Sequence, residues 1–111
     1  SVYVIFGCGG NRDQKKRSLM GKIAAKYADK VVVTDDNPRF ENPASIRKEI
    51  IGNLKNITEV GNRKLAIKRT IQSLKKGDLL LIAGKGHEKF QSINGKNIPF
   101  DDAKIVSQLL K

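Results

Sequence analysis

Apolar residues in this chain fall into two kinds of segment, short continuous runs and longer stretches with helical periodicity. The continuous runs have the length of strands buried on both faces, and they lie at 2–6, 30–34 and 79–83. The periodic stretches predict helices near 15–28, 43–53 and 63–76. A brief strand or an extended link is expected at 57–60. Because strands and helices alternate, the pattern favours a mainly parallel sheet with helices on both faces.

Particular residues support these helices and add two elements at the end of the chain. The apolar stripe of the first helix consists of Leu19, Ile23, Ala24 and Tyr27. Pro43 suits the first turn of the second helix, and Asn62 is a suitable N-cap for the third. Asn94-Gly95, between two short runs, is a strong signal for a β-hairpin. Asp101 or Asp102 then caps a last helix, whose predicted inward residues are Ile105, Val106, Leu109 and Leu110.

Length and composition indicate one globular domain over residues 1–111. Hydrophobic residues make up 39% and charged residues 30%, which is ordinary for a protein that folds in water. No apolar run approaches the length that spans a bilayer, and no signal-peptide pattern is present, so we expect no membrane contact. Because the chain opens directly in a predicted strand, we expect a longer protein from which upstream residues have been removed.

The chain is strongly basic, with 22 lysines and arginines against 11 acidic residues and a formal net charge of +11. Such a charge raises the alternative of a free-standing basic module that binds nucleic acid or another polyanion. The lysines are dispersed, however, and only Lys15-Lys16-Arg17 forms a cluster. Aromatic residues amount to 5%, and no RNA-binding aromatic signature is present. Dispersed charge favours a solvated surface over a nucleic-acid partner.

The chain has one cysteine and one histidine, which limits its metal and redox chemistry. Cys8 cannot form an internal disulfide, and this fits a reducing compartment. We interpret Cys8 as a small buried residue rather than a nucleophile. His87 has no second ligand at metal-binding spacing, so we expect no metal site in this chain. Its proton-transfer role stays an alternative to a structural hydrogen bond.

Each of the three apolar runs leads into a loop rich in glycine or charge, at 7–13, 36–39 and 84–88. In an open parallel sheet, ligands bind outside the carboxyl ends of the strands, so these loops should converge on one crevice. The second loop, Asp36-Asn37-Pro38-Arg39, presents an amide and a guanidinium. That pair suits a ligand with both a carboxylate and an amine. The alternative is an ordinary strand-to-helix turn with a solvated arginine.

Five segments together resemble the C-terminal domain of the Mur ligases, and most closely the members that add meso-diaminopimelate. These segments are 7–13 (GCGGNRD), 19–21 (LMG), 36–39 (DNPR), 82–88 (IAGKGHE) and 100–102 (FDD). They follow the family's order over nearly the whole chain. Two residues depart from the pattern. Asn11 stands where the family usually has aspartate, and Ala103 stands where it often has arginine. The resemblance implies a Rossmann-like α/β fold with a mainly parallel sheet, helices on both faces and a C-terminal β-hairpin.

The resemblance also implies which residues bind substrate. The incoming amino acid, meso-diaminopimelate, would contact Arg12, Asp36, Asn37, Pro38, Arg39, Gly84 and Glu88. Arg39 would hold the distal carboxylate, and Glu88 would accept from an ammonium. Candidates for the nucleotide side are Asp13, Lys15, Arg17, Lys85 and His87. None of these residues is expected to perform covalent chemistry, because positioning the amine already supplies much of the rate.

Mur ligases use ATP and magnesium to activate a UDP-N-acetylmuramoyl peptide, which an amine then attacks. The chain has no G-x-x-x-x-G-K-[ST] phosphate loop. By resemblance, ATP and magnesium belong mainly to a central domain and the nucleotide-sugar dipeptide to an N-terminal domain, both absent here. We therefore expect a cytoplasmic, monomeric bacterial ligase whose isolated 111-residue domain is inactive. A lysine-adding Mur ligase and a folylpolyglutamate synthetase remain alternatives, although lysine offers Arg39 no side-chain carboxylate.

Overall fold

The computed structural model describes residues 1–10, 14–84 and 88–110. Its main feature is a parallel sheet of four strands in the order β3-β2-β1-β4. The strands are β1 (Val2–Phe6), β2 (Lys30–Val33), β3 (Ile57–Glu59) and β4 (Leu79–Ile82). Val4 of β1 lies opposite Val31 on one side and Leu81 on the other. The predicted parallel sheet is confirmed, and the segment near 57 is a short edge strand.

Two layers of helices cover the sheet, as predicted. The helices are α1 (Lys15–Tyr27), α2 (Pro43–Ile51), α3 (Arg63–Ser73) and α4 (Asp102–Leu109). Alternate residues of β1 face opposite layers, so Val4 and Phe6 pack with Ile50 of α2 whereas Ile5 packs with Ile67 of α3. Full burial of each such side chain stabilises the fold by roughly 1.5–3 kcal/mol. Within the described ranges, no helix is long and apolar enough to cross a membrane.

The predicted helix caps are present. Asn62 accepts a hydrogen bond from the Leu65 backbone nitrogen at 2.9 Å, and Asp101 accepts one from that of Lys104 at 3.2 Å. Pro43 occupies the first turn of α2, behind the N-cap Asn42. Asp101 is therefore the cap of α4, and Asp102 is its first helical residue. These caps satisfy backbone N–H groups that have no partner within the helix.

Two predicted apolar stripes are only partly buried. In α1 the exposed fraction is 49% or more at Leu19, Ile23 and Tyr27. The reason is that α1 crosses α2 at Gly21, where an added Cβ would lie 2.2 Å from the Ile50 carbonyl oxygen. This contact turns Gly21 inward and leaves the apolar stripe beside an open part of the sheet. Leu110 is also exposed, because α4 ends at Leu109.

The C-terminal hairpin is confirmed. Strands β5 (Phe90–Ile93) and β6 (Lys96–Pro99) are antiparallel. Between them Asn94 has φ 50° and Gly95 has φ 77°. Two successive positive φ angles are those of a type I′ turn, which Asn-Gly pairs favour. The hairpin is a separate two-stranded sheet, and an isolated parallel bridge between Arg39 and Ile93 joins it to the turn after β2.

Candidate functional site

The loops after β1 and β2 lie in direct contact at the carboxyl edge of the sheet. The Gly10 backbone nitrogen donates to the Asn37 carbonyl oxygen at 2.7 Å. A Cβ added at Gly10 would lie 1.8 Å from the Pro38 carbonyl oxygen, so only glycine allows this approach. The glycine-rich run and the Asp36–Arg39 turn therefore form a single wall.

The loop after β4 reaches the same edge. Gly84 has φ 111°, and a Cβ added there would lie 3.5 Å from Asp36 Oδ2 and 3.6 Å from the Gly7 carbonyl oxygen. The predicted convergence of the three loops is thus confirmed among the residues described. They enclose a hollow of about 480 Å³, lined by Gly7, Cys8, Gly9, Lys16, Arg17, Met20, Asp36 and Gly84.

Arg39 is held in an unusual backbone conformation at this edge. Its φ is 54°, a region that residues with a Cβ rarely adopt. Two hydrogen bonds to the hairpin support it: the Arg39 nitrogen donates to Ser92 O at 2.9 Å, and the Asn94 nitrogen donates to Arg39 O at 2.6 Å. Strained backbone that surrounding contacts enforce is typical of ligand-binding sites.

One edge of the Arg39 guanidinium is anchored and the other is available. Nη1 donates to Gly10 O at 2.8 Å and to Asn37 O at 3.3 Å. No described residue accepts from Nε or Nη2. These two nitrogens carry the parallel N–H groups that bind a carboxylate with two hydrogen bonds. The half-buried side chain is therefore oriented by the protein and still able to bind an anion.

The neighbouring turn residues face the protein more than the crevice. Asn37 is 4% exposed, and its Oδ1 accepts from the Ser92 nitrogen at 2.9 Å. Pro38 is buried against the glycine loop. The Asp36 carbonyl oxygen accepts from Gln91 Nε2 at 2.6 Å. These contacts shape the turn, and direct substrate contacts by its first three residues stay predictions.

Glu88 is far from the same turn along the chain but is connected to it through the hairpin. It is half-buried and precedes β5, whose Ser92 binds the Arg39 backbone. The hairpin therefore links the segment that carries Glu88 to the turn that carries Arg39. Other predicted site residues fall outside the described ranges, namely Arg12, Asp13, Lys85 and His87.

Arg17, a candidate for the nucleotide side, is buried and paired. Its side chain is 1% exposed and donates to Glu41 Oε1 at 2.9 Å, to Glu49 and to Gly9 O at 3.0 Å. The hydrogen bond to Glu41 raises the pKa of Arg17. These bonds tie α1 to α2 and to the glycine loop. Lys15, by contrast, lies exposed at the start of α1.

Sequence reasoning missed a second buried arginine. Arg63 Nε and Nη2 donate to the two carboxylate oxygens of Asp102, each at 2.8 Å. Nη1 also donates to Asp35 O at 3.2 Å and Nη2 to Ala83 O at 3.1 Å. The pair therefore holds α3, α4 and the ends of β2 and β4 together. The 100–102 motif was a signal for Asp102, but no local pattern indicates its partner.

Cys8 shows no sign of an activated thiol. Burial raises the pKa of Cys8 and outweighs the opposing effect of the Arg17 charge. Its Sγ lies 3.6 Å from Met20 Sδ. Across 1–10, 14–84 and 88–110, no three histidine, cysteine or acidic side chains are grouped as a metal ion would require.

Known proteins share both this sequence and this fold. A ligase from Rickettsia felis is 60% identical over 109 residues, covering 96% of this chain and 21% of the relative. One from Chelativorans sp. is 51% identical over 110 residues, covering 99% and 23%. Both are named UDP-N-acetylmuramoyl-L-alanyl-D-glutamate--2,6-diaminopimelate ligase. The chain thus spans about a fifth of the length of these curated relatives.

A solved structure of a protein with the same name matches with a TM-score of 0.94 and 39% identity. The match covers 98% of this chain and 23% of that one. The family model described as Mur ligase, glutamate ligase domain, matches residues 1–86. With its sequence, its sheet and its converging loops in agreement, the chain belongs to the Mur ligase family.

Proposed function

We propose that residues 1–111 are the amino-acid-binding C-terminal domain of a longer ATP-dependent ligase of peptidoglycan synthesis. The reaction would add meso-diaminopimelate to UDP-N-acetylmuramoyl-L-alanyl-D-glutamate. The names of relatives 51–60% identical to this chain support this proposal. The domain would bind the incoming amino acid. The amine of that amino acid would attack the activated dipeptide.

The observation that carries the proposal is the half-anchored guanidinium of Arg39. Its Nη1 is held by two carbonyl oxygens, which leaves the Nε and Nη2 edge to receive a carboxylate. A side chain that is already oriented loses less conformational entropy when it binds. Meso-diaminopimelate has a carboxylate at the distal end of its side chain, and lysine has none. Arg39 would therefore distinguish the two amino acids.

The remaining site residues would complete the recognition of the distal amino-acid group. Glu88 would accept from its ammonium, and Gly84 would bring backbone close to the ligand. Asp36, Asn37 and Pro38 would contribute by shaping the turn that carries Arg39. Arg12 would bind a carboxylate. We assign no covalent step to these residues, since their contribution is orientation of the nucleophilic amine.

ATP and magnesium would bind mainly outside this domain. The chain has no phosphate-loop motif. Arg17, in the wall of the hollow, is already paired with two carboxylates, whereas Lys16 lines the same wall. Such a surface fits the edge of a nucleotide site better than its phosphate-binding centre. ATP would supply the activation of the dipeptide carboxylate, while Asp13, Lys15, Lys85 and His87 remain candidates for that edge. We expect a cytoplasmic monomer.

The proposal is tested by Arg39→Ala in the full-length ligase that carries this domain. Loss of a charge-assisted, partly buried pair should cost on the order of 2–5 kcal/mol of binding, a rise in KM for meso-diaminopimelate of about 30-fold or more. The KM for ATP should change little, and the preference for meso-diaminopimelate over lysine should shrink. Steady-state kinetics with each substrate measures these effects.

Arg69→Ala provides the matched control, because Arg69 is an exposed arginine on α3. It should leave all kinetic constants near those of the wild type. A folded Arg39→Ala enzyme with the wild-type KM and the wild-type preference over lysine would refute the assignment of Arg39. A wild-type enzyme unable to use meso-diaminopimelate would refute the proposed reaction.

A further inference from the structure

The β5–β6 hairpin is hydrogen-bonded to three of the four residues of the Asp36–Arg39 turn. Ser92 contributes its nitrogen to Asn37 Oδ1 and its oxygen to the Arg39 nitrogen, each at 2.9 Å. Asn94 adds the bond to Arg39 O at 2.6 Å. The hairpin thus lies beside the turn as a separate sheet, and it fixes the backbone from which the Arg39 side chain projects.

Gln91 differs from the rest of this hairpin. It is 8% exposed, whereas all four residues of β6 are exposed. Its side chain donates from Nε2 to the Asp36 carbonyl oxygen at 2.6 Å. Gln91 is the one fully buried residue of these two strands, and a buried amide adds little to an apolar core. Its contact instead orients the peptide bond between Asp36 and Asn37, three residues before Arg39.

We propose that Gln91 is a positioning residue for the amino-acid site, an inference that rests on the proposed function. It would fix the first peptide of the turn and thereby the orientation of the Nε and Nη2 edge of Arg39. The strand that carries Gln91 begins two residues after Glu88. The Gln91 contact would therefore keep Glu88 and Arg39 in a fixed position relative to each other. Gln91 itself would not touch the substrate.

The physical reason is the conformation of Arg39. A positive φ is unfavourable for a residue with a Cβ, so the turn keeps it only while contacts from outside enforce it. Removal of the Gln91 bond also leaves the carbonyl of half-buried Asp36 without that donor. The turn would then relax toward ordinary φ, and the guanidinium would move away from its productive place. Small displacements in a binding site have large kinetic effects.

The test is Gln91→Met in the full-length ligase, because methionine keeps the length of the side chain and removes the donor. We expect the KM for meso-diaminopimelate to rise about tenfold, as for loss of one buried hydrogen bond, with kcat and the KM for ATP changed less than about twofold. Gln72→Met, on the exposed face of α3, is the matched control and should leave every constant unchanged.

A second variant separates positioning from simple loss of stability. In Gln91→Glu an ionised carboxylate would repel the Asp36 carbonyl, whereas a protonated one could donate to it. The KM ratio of this variant to the wild type should therefore fall as the pH is lowered. A general loss of stability would instead lower the urea midpoint of unfolding at the pH where the KM is raised, and such a loss would refute the positioning role.

Amide hydrogen exchange provides a readout that needs no substrate. Exchange at Arg39 and Asn94 should be faster in Gln91→Met than in the wild type, with the amides of β1 unchanged. Wild-type KM values in both variants, or unaltered exchange at Arg39, would overturn the positioning role. If the wild type does not use meso-diaminopimelate, the proposed function fails, and the exchange result alone decides whether Gln91 holds the turn.

Discussion

Arg39 and Arg63 both lie near the carboxyl ends of the strands and use their guanidinium groups in opposite ways. Arg63 has a fully buried side chain, and all three of its nitrogens donate to Asp102 or to the carbonyl oxygens of Asp35 and Ala83. Arg39 is half-buried, and toward the described part of the chain it donates through Nη1 alone, to two carbonyl oxygens. In Arg63 the parallel donors Nε and Nη2 are both taken by Asp102, whereas no described residue accepts from the same two donors of Arg39.

The contrast teaches that burial and pairing, rather than residue type, separate an arginine that only holds the fold together from one that can still receive a ligand. Formation of the buried bidentate pair requires the desolvation of two charges. Removal of one partner therefore leaves the other charge buried without a counter-charge. The half-anchored arginine avoids that cost and keeps its charge accessible. Three predictions test this distinction on the domain itself, in decreasing order of expected effect.

Arg63→Met should produce the largest loss of stability. Asp102, 6% exposed, would remain buried without its partner, which typically costs about 3–5 kcal/mol of the free energy of unfolding. Urea unfolding followed by circular dichroism measures this loss. The double variant Arg63→Met with Asp102→Leu should recover much of it, because an apolar pair can replace a buried ion pair. A loss no larger than that of Arg39→Ala would break the comparison.

Arg39→Gly should be more stable than Arg39→Ala, by about 1 kcal/mol, because glycine accepts a positive φ and alanine does not. Neither variant retains the guanidinium, so the difference isolates backbone strain. At Arg69, inside α3, the order should reverse, with alanine more stable by about 1 kcal/mol. Thermal or urea unfolding of the four variants gives both differences. Equal stability of the two Arg39 variants would show that the backbone of this turn is not strained.

The third prediction, with the smallest expected effect, concerns the charge of Arg17 and the reactivity of the neighbouring Cys8 thiol. Its charge is shared with Glu41 and Glu49, and burial raises the pKa of Cys8 in spite of it. Alkylation of the single cysteine by iodoacetamide at pH about 8 should therefore be slower in the folded protein than in urea, because less thiolate forms. Faster reaction in the folded state would show that Arg17 activates the thiol.

Much of the fold follows from local sequence signals. Continuous apolar runs give strands buried on both faces, and Asn62, Asp101 and Asn94-Gly95 mark helix starts and a turn through their own backbone chemistry. The outward stripe of α1 could not be predicted, because it depends on where Gly21 crosses α2. Periodicity indicates a helix but does not say which neighbour it packs against.

The site could be predicted only to the level of the loop. The order of strands and glycines placed Asp36–Arg39 and Gly84 together, because parallel strands end on the same side of the sheet. Which donors of Arg39 stay available depends on contacts with Gly10, far away in the chain. The partners of Arg63 and Gln91 are also distant along the chain, 39 and 55 positions away. Such long-range pairings produce no periodic or local pattern in the amino-acid sequence.

The Asn94–Gly95 turn also makes the protein sensitive to storage. Both residues are exposed, and glycine leaves its backbone nitrogen unhindered for attack on the preceding side-chain amide. The attack releases ammonia, and water then opens the resulting succinimide mainly to isoaspartate, which adds a methylene to the backbone. That change would fall in the turn whose Asn94 nitrogen supports Arg39. Under the proposed function, aged preparations should therefore lose affinity for meso-diaminopimelate without any mutation. Peptide mapping of fresh and stored samples would show when the isoaspartate forms.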